Sequence, residues 1–315
     1  MPFSTVKGGS NLECTNIISQ LNEKISTQNI FENELMSKHT SFKIGGPADI
    51  YITPSDTREI KHALKVCSIQ NIPYYIIGNG SNLLVSDKGY RGVMIQISRN
   101  MNKFVIADDI VVVQAGVLLS TLAKEIANHS LKGFEFAAGI PGTLGGAVCM
   151  NAGAYGGEMK QVIQSVDAID QDGNIITLSN KELELGHRTS LIQKKGLVVL
   201  SVTLKLEHGC KDDIKALIKD FANRRKEKQP LDMPSAGSTF KRPEGYYAGK
   251  LIQDAGLCGY SIGGAAVSQK HCGFIVNKGN ATAKDVTDLI KYIQKTIQQK
   301  FNVEMSPEVR VIGEE

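Results

Sequence analysis

Three short segments hold side chains suited to acid–base or charge-stabilising chemistry. Gly186-His187-Arg188-Thr189-Ser190 offers a permanently charged guanidinium, Gly237-Ser238-Thr239-Phe240 a hydroxyl on a tight turn, and Pro307-Glu308-Val309-Arg310 a carboxyl in an otherwise apolar context. Two glycine-rich stretches accompany them. GIPGTLGGAVCMNAGAYGGE, residues 139–158, is poor in side chains. It is expected neither to pack well nor to form a stable helix, because each glycine loses extra backbone entropy on ordering. Its use is close approach of bare backbone to a ligand that is anionic or rich in acceptors. Asn151 and Tyr155 argue against a plain linker. The second stretch, Gly78-Asn79-Gly80-Ser81-Asn82, follows an apolar run over 73–77 that reads as a short buried strand. A strand followed by Gly-x-Gly suits a diphosphate. Leu83, however, breaks the dinucleotide pattern, and no Gly-x-x-x-x-Gly-Lys-Ser/Thr loop is present. The residues alone leave the reaction open. On the residues alone Ser238 reads better as a turn residue or cap; ion-pair partner is an alternative for Arg188, and surface partner of Arg310 or Lys270 for Glu308.

The elements that must position these groups show in the periodicity. Helical spacing runs over 11–28, 57–70 with Ser55 or Asp56 as cap, 118–129, 212–226, 246–254 and 282–300, the last with Leu289, Ile293 and Ile297 on one face. Strand-like runs fall at 93–97, 104–107, 111–115, 163–169, 175–178, 197–206 and 273–277. Pro230, Pro234 and Pro243 punctuate a polar stretch, so a domain boundary is expected near 210–230.

At 315 residues the chain has room for two or three compact units, and 42% hydrophobic with 22% charged residues is ordinary for a globular protein. No run approaches the ~20 apolar residues of a membrane span. The first thirty residues lack the apolar core of a signal peptide. Cys14, Cys67, Cys149, Cys210, Cys258 and Cys272 are widely spaced, which predicts free thiols in a reducing compartment without a metal site. A cytoplasmic location without a membrane partner is the expectation. Net charge is +4, and Arg224-Arg225-Lys226-Glu227-Lys228 reads either as a solvated helix end or as an anion site. No aromatics interleave with that run, so nucleic acid is not an expected partner.

Several motifs in fixed order make a more specific resemblance. They are His39-Thr-Ser-Phe-Lys-Ile-Gly-Gly-Pro47, Gly78-Asn-Gly-Ser-Asn-Leu-Leu-Val85, the 139–158 stretch, Gly237-Ser-Thr-Phe-Lys-Arg-Pro243, Ile262-Gly-Gly-Ala-Ala-Val267 and Pro307-Glu-Val-Arg-Val-Ile-Gly313. With these the chain resembles the bacterial UDP-N-acetylenolpyruvoylglucosamine reductases from about residue 39 to 313. The resemblance implies an α+β fold: an FAD-linked oxidase-type (PCMH-like) FAD-binding domain of two α/β subdomains and a smaller C-terminal α/β substrate-binding domain. The subdomains would be 1–75, with the tail 310–315, and 76–211; the substrate domain would be 212–309.

It further implies NADPH-dependent reduction of UDP-N-acetylglucosamine enolpyruvyl ether to UDP-N-acetylmuramate through non-covalent FAD, a step of peptidoglycan precursor synthesis. By this resemblance Gly78, Asn79, Gly80, Ser81, Asn82, Gly139, Ile140, Pro141, Gly142, Thr143, Gly145, Gly146 and Arg310 face the FAD. Arg188, Ser238 and Glu308 are catalytic, while Arg225, Lys228 and Arg242 bind the UDP-sugar, Lys228 at its diphosphate. The implied partners are NADPH and this substrate, acting on a monomer. His187 stands where the family usually has Tyr, and Arg242 where one form has Asn. No room remains between Arg188 and the 197–206 run for the tyrosine-bearing loop of the longer form, so the shorter form is implied. Two competing readings are an FAD oxidase of a sugar or hydroxy acid and a non-catalytic nucleotide or RNA binder using 224–228; visible flavin absorbance separates the last from the others.

Overall fold

The computed structural model describes residues 11–314, with side chains from residue 16 onward. The chain forms two compact units: one contains the chain up to Phe31, Ile50–Asn79 and Gly92–Arg225, the other Glu32–Asp49, Gly80–Arg91 and the chain from Lys226 on.

In the first unit, five strands rich in β-branched residues make an antiparallel sheet. Their spatial order is Ile175–Ser179, Ile163–Ile169, Val198–Lys205, Ile110–Gln114, Phe104–Ala107. Val111 and Val113 are buried while Val112 between them is exposed, the period-two pattern of a sheet covered on one face. The helices Leu119–Asn128 and Thr57–Ile69 contribute Leu119, Leu122, Ile126, Ile60 and Leu64 to the same apolar core. A second sheet pairs Tyr74–Ile77 in parallel with residues 93–96 of the strand Tyr90–Gln96. Gly78 therefore leaves the carboxyl end of a parallel strand, the end where α/β sheets present loops to ligands.

In the second unit, Ser261–Ile262, Ala265–Val267 and Ile275–Asn277 form a three-stranded antiparallel sheet. The helix Ala283–Phe301 buries Val286, Leu289, Ile293 and Ile297 in the core shared with that sheet. Thr282 and Asp285 close a reciprocal cap at its start, and Asp87 accepts from the N–H groups of Ala283 and Lys284 at 2.8 and 3.0 Å. All four leading amides of a helix need such partners, and Asp87 supplies two from a distant segment. Leu83–Val85 pairs in parallel with Arg310–Ile312.

Most expected elements are present with ends shifted by a residue or two. Three differ, two of them for physical causes that the burial pattern shows. The helix expected over 11–28 stops at Asn22, and Thr27–Asn29 is a separate 3-10 turn. Leu21 and Ile25 are both buried across the break, so the apolar spacing is met by a turn as well as by a helix. The 139–158 stretch, expected to be non-helical, contains the short helix Leu144–Cys149. Burial of Leu144, Ala147 and Val148 outweighs the glycine penalty there, and Gly145 lets Ala115 come close enough that a Cβ would meet it at 2.9 Å. The strand at Tyr74–Ile77 is buried only at Ile77.

Asp56 caps the helix Thr57–Ile69 by accepting from the N–H groups of Arg58 and Glu59 at 2.7 and 3.0 Å. The Arg58 guanidinium, opposed by some desolvation and aided by these amides, holds the Asp56 carboxyl below its ordinary value. A carboxyl whose pKa is lower folded than unfolded stabilises above its unfolded pKa, and that contribution disappears as pH falls through the folded value. Asp56→Ala is expected to cost about 1 kcal/mol at neutral pH. In thermal melts, the gap from the parent should narrow below about pH 4; a gap that widens on acidification contradicts the assignment.

Candidate active site

In the first unit the two glycine segments lie against each other. Asn79 Nδ2 donates to the Pro141 carbonyl at 3.1 Å, and Gln96 Nε2 to the Gly78 carbonyl at 3.0 Å. A Cβ on Gly78 would stand 2.1 Å from Thr143 Oγ1, so bare backbone is required for this approach. Thr143 is itself buried. Gly146 differs: a Cβ there would meet only Thr143 Oγ1, at 3.6 Å. Packing within the protein does not ask for glycine at 146, and a cradle that a side chain would fill fits a group approaching from outside.

The Arg188 segment is fastened to this glycine stretch. Gly186 and Thr189 exchange backbone hydrogen bonds at 3.1 and 3.3 Å, which puts His187 and Arg188 at the tip of a tight turn. Arg188 has φ +55°, a left-handed conformation uncommon for a residue with a side chain. Asn151, 2% exposed, holds the turn in place. Its Nδ2 donates to the Gly186 carbonyl at 3.1 Å and to Glu158 Oε2 at 3.0 Å, while its Oδ1 accepts from the Lys160 N–H at 2.9 Å. Buried Ser190 donates from Oγ to the Cys149 carbonyl at 2.7 Å and caps the next helix through the Gln193 N–H. Asn151 and Ser190 are positioning residues that sequence reasoning did not assign. A polar side chain set in a glycine-rich apolar run was the available signal.

Arg225, assigned to substrate by resemblance, lies in this unit beside Gly139, whose Cβ would meet the arginine's Cδ and Nη1 at 3.3 Å. Burial lowers its pKa from the ordinary guanidinium value. Tyr155 stacks on Phe221 one turn earlier on the same helix, ring centroids 4.4 Å apart.

In the second unit Thr239, next to Ser238 in the chain, joins that segment to the one carrying Glu308. Thr239, 2% exposed, donates its N–H to the Gly273 carbonyl at 2.8 Å, accepts the Ile275 N–H on Oγ1 at 3.0 Å, and accepts the Glu308 N–H on its carbonyl at 2.8 Å. Phe240 and Pro307 form the next bridge. The Ser238 hydroxyl makes only a long bond, 3.4 Å, to the Phe240 carbonyl, so its proton is weakly engaged. Asn82 Nδ2 donates to the Glu308 carbonyl at 3.2 Å, and the Arg310 N–H to the Asn82 carbonyl at 3.1 Å. The Gly80–Asn82 segment and the Glu308–Arg310 segment are thus joined. Gly80 has φ +60°, and a Cβ on it would lie 2.0 Å from the His39 carbonyl, so the His39–Pro47 motif is fitted around it.

The remaining cations are exposed. Lys228 ends the helix Lys211–Lys228. Arg242 lies with its guanidinium carbon 4.0 Å above the Tyr247 ring and donates from Nε to the Tyr246 carbonyl at 3.2 Å. A cavity of about 760 Å³ opens beside the end of that helix, lined by Lys226, Lys270, Lys278, Leu231 and Met233 among others. Among the described residues, no group of His, Cys, Asp and Glu could hold a metal ion, and no helix is long and apolar enough to cross a membrane.

Comparison with known proteins bears on both parts. An FAD binding domain family matches residues 48–179, and the C-terminal domain family of UDP-N-acetylenolpyruvoylglucosamine reductase matches residues 229–312. The UDP-N-acetylenolpyruvoylglucosamine reductase of Clostridium perfringens (strain SM101) is 54% identical over 293 residues, covering 93% of this chain and 96% of its own. That of Caldanaerobacter subterraneus is 51% identical over 298 residues, covering 95% and 98%. The crystal structure of the Thermus caldophilus reductase shares 35% identity and a TM-score of 0.77, over 88% of this chain and 97% of that one. Fold and matches define the class: an FAD-dependent oxidoreductase with an FAD-binding domain and a separate C-terminal domain. The chain belongs to the UDP-N-acetylenolpyruvoylglucosamine reductase family.

Gly146, expected from the sequence to face the FAD, allows the needs of the fold to be tested apart from those of a cofactor. Gly146→Ala in the helix Leu144–Cys149 should stabilise the FAD-free protein by about 0.5–1 kcal/mol, since alanine loses less backbone entropy. The same change should weaken FAD binding in a fluorescence titration. Unchanged FAD affinity in the folded variant would remove Gly146 from the cofactor surface.

Proposed function

We propose that this chain carries out the NADPH-dependent reduction of UDP-N-acetylglucosamine enolpyruvyl ether to UDP-N-acetylmuramate for peptidoglycan synthesis, with Arg188, Ser238 and Glu308 as its catalytic residues. The observation that supports the assignment of roles is the backbone bond from Glu308 N–H to the Thr239 carbonyl, which joins the Glu308 segment to the turn that carries Ser238. FAD, held through Gly78–Asn82, Gly139–Gly146 and Arg310, supplies the two-electron carrier between NADPH and the substrate's vinyl carbon. The residues of the chain answer for the rest. Addition of a hydride to the CH2 leaves negative charge on the neighbouring carbon, spread into the carboxylate. Positive charge stabilises that enolate, and the Arg188 guanidinium, locked in a tight turn, suits this role. Ser238 gives its proton to the carbon; its hydroxyl, weakly held by the Phe240 carbonyl, is free to turn. Glu308, half-buried and fixed by the Thr239 and Asn82 contacts, stabilises the same charge when it carries a proton.

Lys228 and Arg242 bind the substrate diphosphate, and the cavity beside Lys226 takes part of the UDP-sugar, its three lysines matching the charge of a nucleoside diphosphate. The stretch 212–309 acts as the substrate-binding domain, with 1–75 and 76–211 as the halves of the FAD domain. We read the protein as a cytoplasmic monomer, consistent with its NADPH dependence and its free cysteines Cys67, Cys149, Cys210, Cys258 and Cys272; sedimentation of the holoenzyme tests the monomer.

Two variants separate binding from chemistry. Lys228→Ala should raise KM for the enol ether with little change in kcat, because a contact made equally in ground and transition states affects binding alone. A fall in kcat at unchanged KM contradicts a diphosphate role. Ser238→Ala should leave reduction of the flavin by NADPH intact and slow its reoxidation by the enol ether about 10²–10⁴-fold. Ser238→Cys should recover part of that rate, since a thiol also carries a transferable proton. Stopped-flow measurement of the two half-reactions decides: equal slowing of both reduces Ser238 to a shaping role.

A further inference from the structure

Arg242 ends a run of backbone contacts that starts at Thr239. Phe240 bridges Pro307, and the Lys241 N–H donates to the Ser306 carbonyl at 2.9 Å, so the chain entering Arg242 is fixed. Pro243 follows and biases Arg242 away from the helical region. The chain then turns back: the Tyr246 N–H donates to the Pro243 carbonyl at 3.1 Å, with Gly245 at φ +76°. Left-handed backbone at that place in a tight turn suits glycine. Tyr247 is held by its own carbonyl, which accepts the Lys250 and Leu251 N–H groups at 3.0 and 3.1 Å where the helix Ala248–Asp254 begins. Its backbone is anchored while the residue is 65% exposed.

The face of that ring carries the Arg242 guanidinium, whose Cζ stands 4.0 Å from the ring centroid, and the Tyr246 carbonyl takes the Nε–H at 3.2 Å. These contacts leave the donors on Nη1 and Nη2 unused. Among the described residues no carboxylate pairs with them, although Glu244 is two positions away. An exposed arginine loses rotamer freedom when it grips an anion, and a guanidinium held beforehand loses less. We propose that Tyr247 is a positioning residue, whose ring holds the Arg242 guanidinium so that both Nη groups meet the diphosphate of the UDP-sugar. The proposal rests on the reading of Arg242 as a diphosphate ligand given above. The attraction comes from the ring face, so the phenol hydroxyl is not needed for it. A planar fork presented in this way matches two phosphate oxygens at once, which a lysine cannot do.

UDP is titrated calorimetrically into the oxidised holoenzyme, and KM and kcat are measured for the enol ether. The variants are Tyr247→Leu, Tyr247→Phe, Arg242→Ala and the double variant Arg242→Ala with Tyr247→Leu. Tyr247→Leu should weaken UDP binding and raise KM about 2–30-fold, the span of a cation–π contact, with kcat little changed. Tyr247→Phe keeps the ring face and should stay close to the parent. Arg242→Ala should cost more, roughly 10–100-fold, and Tyr247→Leu should add nothing to it. The exposure of Tyr247 keeps the fold out of the comparison, and equal flavin absorbance per chain verifies this. Unchanged UDP affinity in Tyr247→Leu, beside a loss in Arg242→Ala, overturns the positioning role alone. Equal loss from Tyr247→Leu with and without Arg242 also overturns it, since the ring then meets the ligand itself. Arg242→Ala with unchanged UDP affinity and KM sinks the diphosphate reading, and the ring then has nothing to position.

Discussion

Thr239 is the residue on which the joining of the Ser238 and Glu308 segments depends. Its amide, carbonyl and hydroxyl are all paired inside the protein, to Gly273, Glu308 and Ile275, and almost none of it meets water. A buried polar group left without a partner costs far more than the bond itself contributes, so the segments carrying Ser238 and Glu308 cannot drift apart one at a time. Two segments from distant parts of the sequence, carrying residues proposed as catalytic, are thereby joined through one short side chain and its backbone.

The first unit solves the same problem with a different residue. Asn151 uses both ends of its amide, and with Ser190 it binds the Arg188 turn to the glycine stretch. Glycine allows backbones to approach but cannot hold them in register, because it has no side chain to donate or accept. The buried amide supplies what the glycines lack. The glycine stretch and the Arg188 turn are thus set by one hydrogen-bond network, and a change at Asn151 disturbs both.

Much of this was legible in the sequence. Helices with a clear apolar face, such as Ala283–Phe301, and β-branched strands such as Ile163–Ile169 follow from spacing alone. The ordered motifs pointed to the family, which the comparisons establish, and with it to FAD. The residues alone did not reveal why individual motif positions are what they are. Gly80 read as a ligand-facing glycine, yet the nearest atom to its missing side chain is the His39 carbonyl. The Ile262–Val267 motif was recognised without a role; its Gly264 N–H meets the Asp285 carboxylate that also caps a helix. The helix Leu144–Cys149 was missed because local propensity argues against it and only tertiary burial supports it. Such contacts join residues far apart in the chain, and spacing rules see only near neighbours.

Arg188 sits where its backbone conformation suits glycine better than arginine. Left-handed backbone at a residue with a Cβ costs on the order of 1 kcal/mol or more. Random substitution screened for thermal tolerance should therefore enrich glycine or asparagine at this position, and each such variant would fold more stably while losing its fixed charge. If Arg188 supplies the charge proposed above, selection for stability and selection for turnover pull in opposite directions at one codon. A thermostabilised version of this enzyme made by consensus or screening must keep position 188 fixed and find its gains elsewhere.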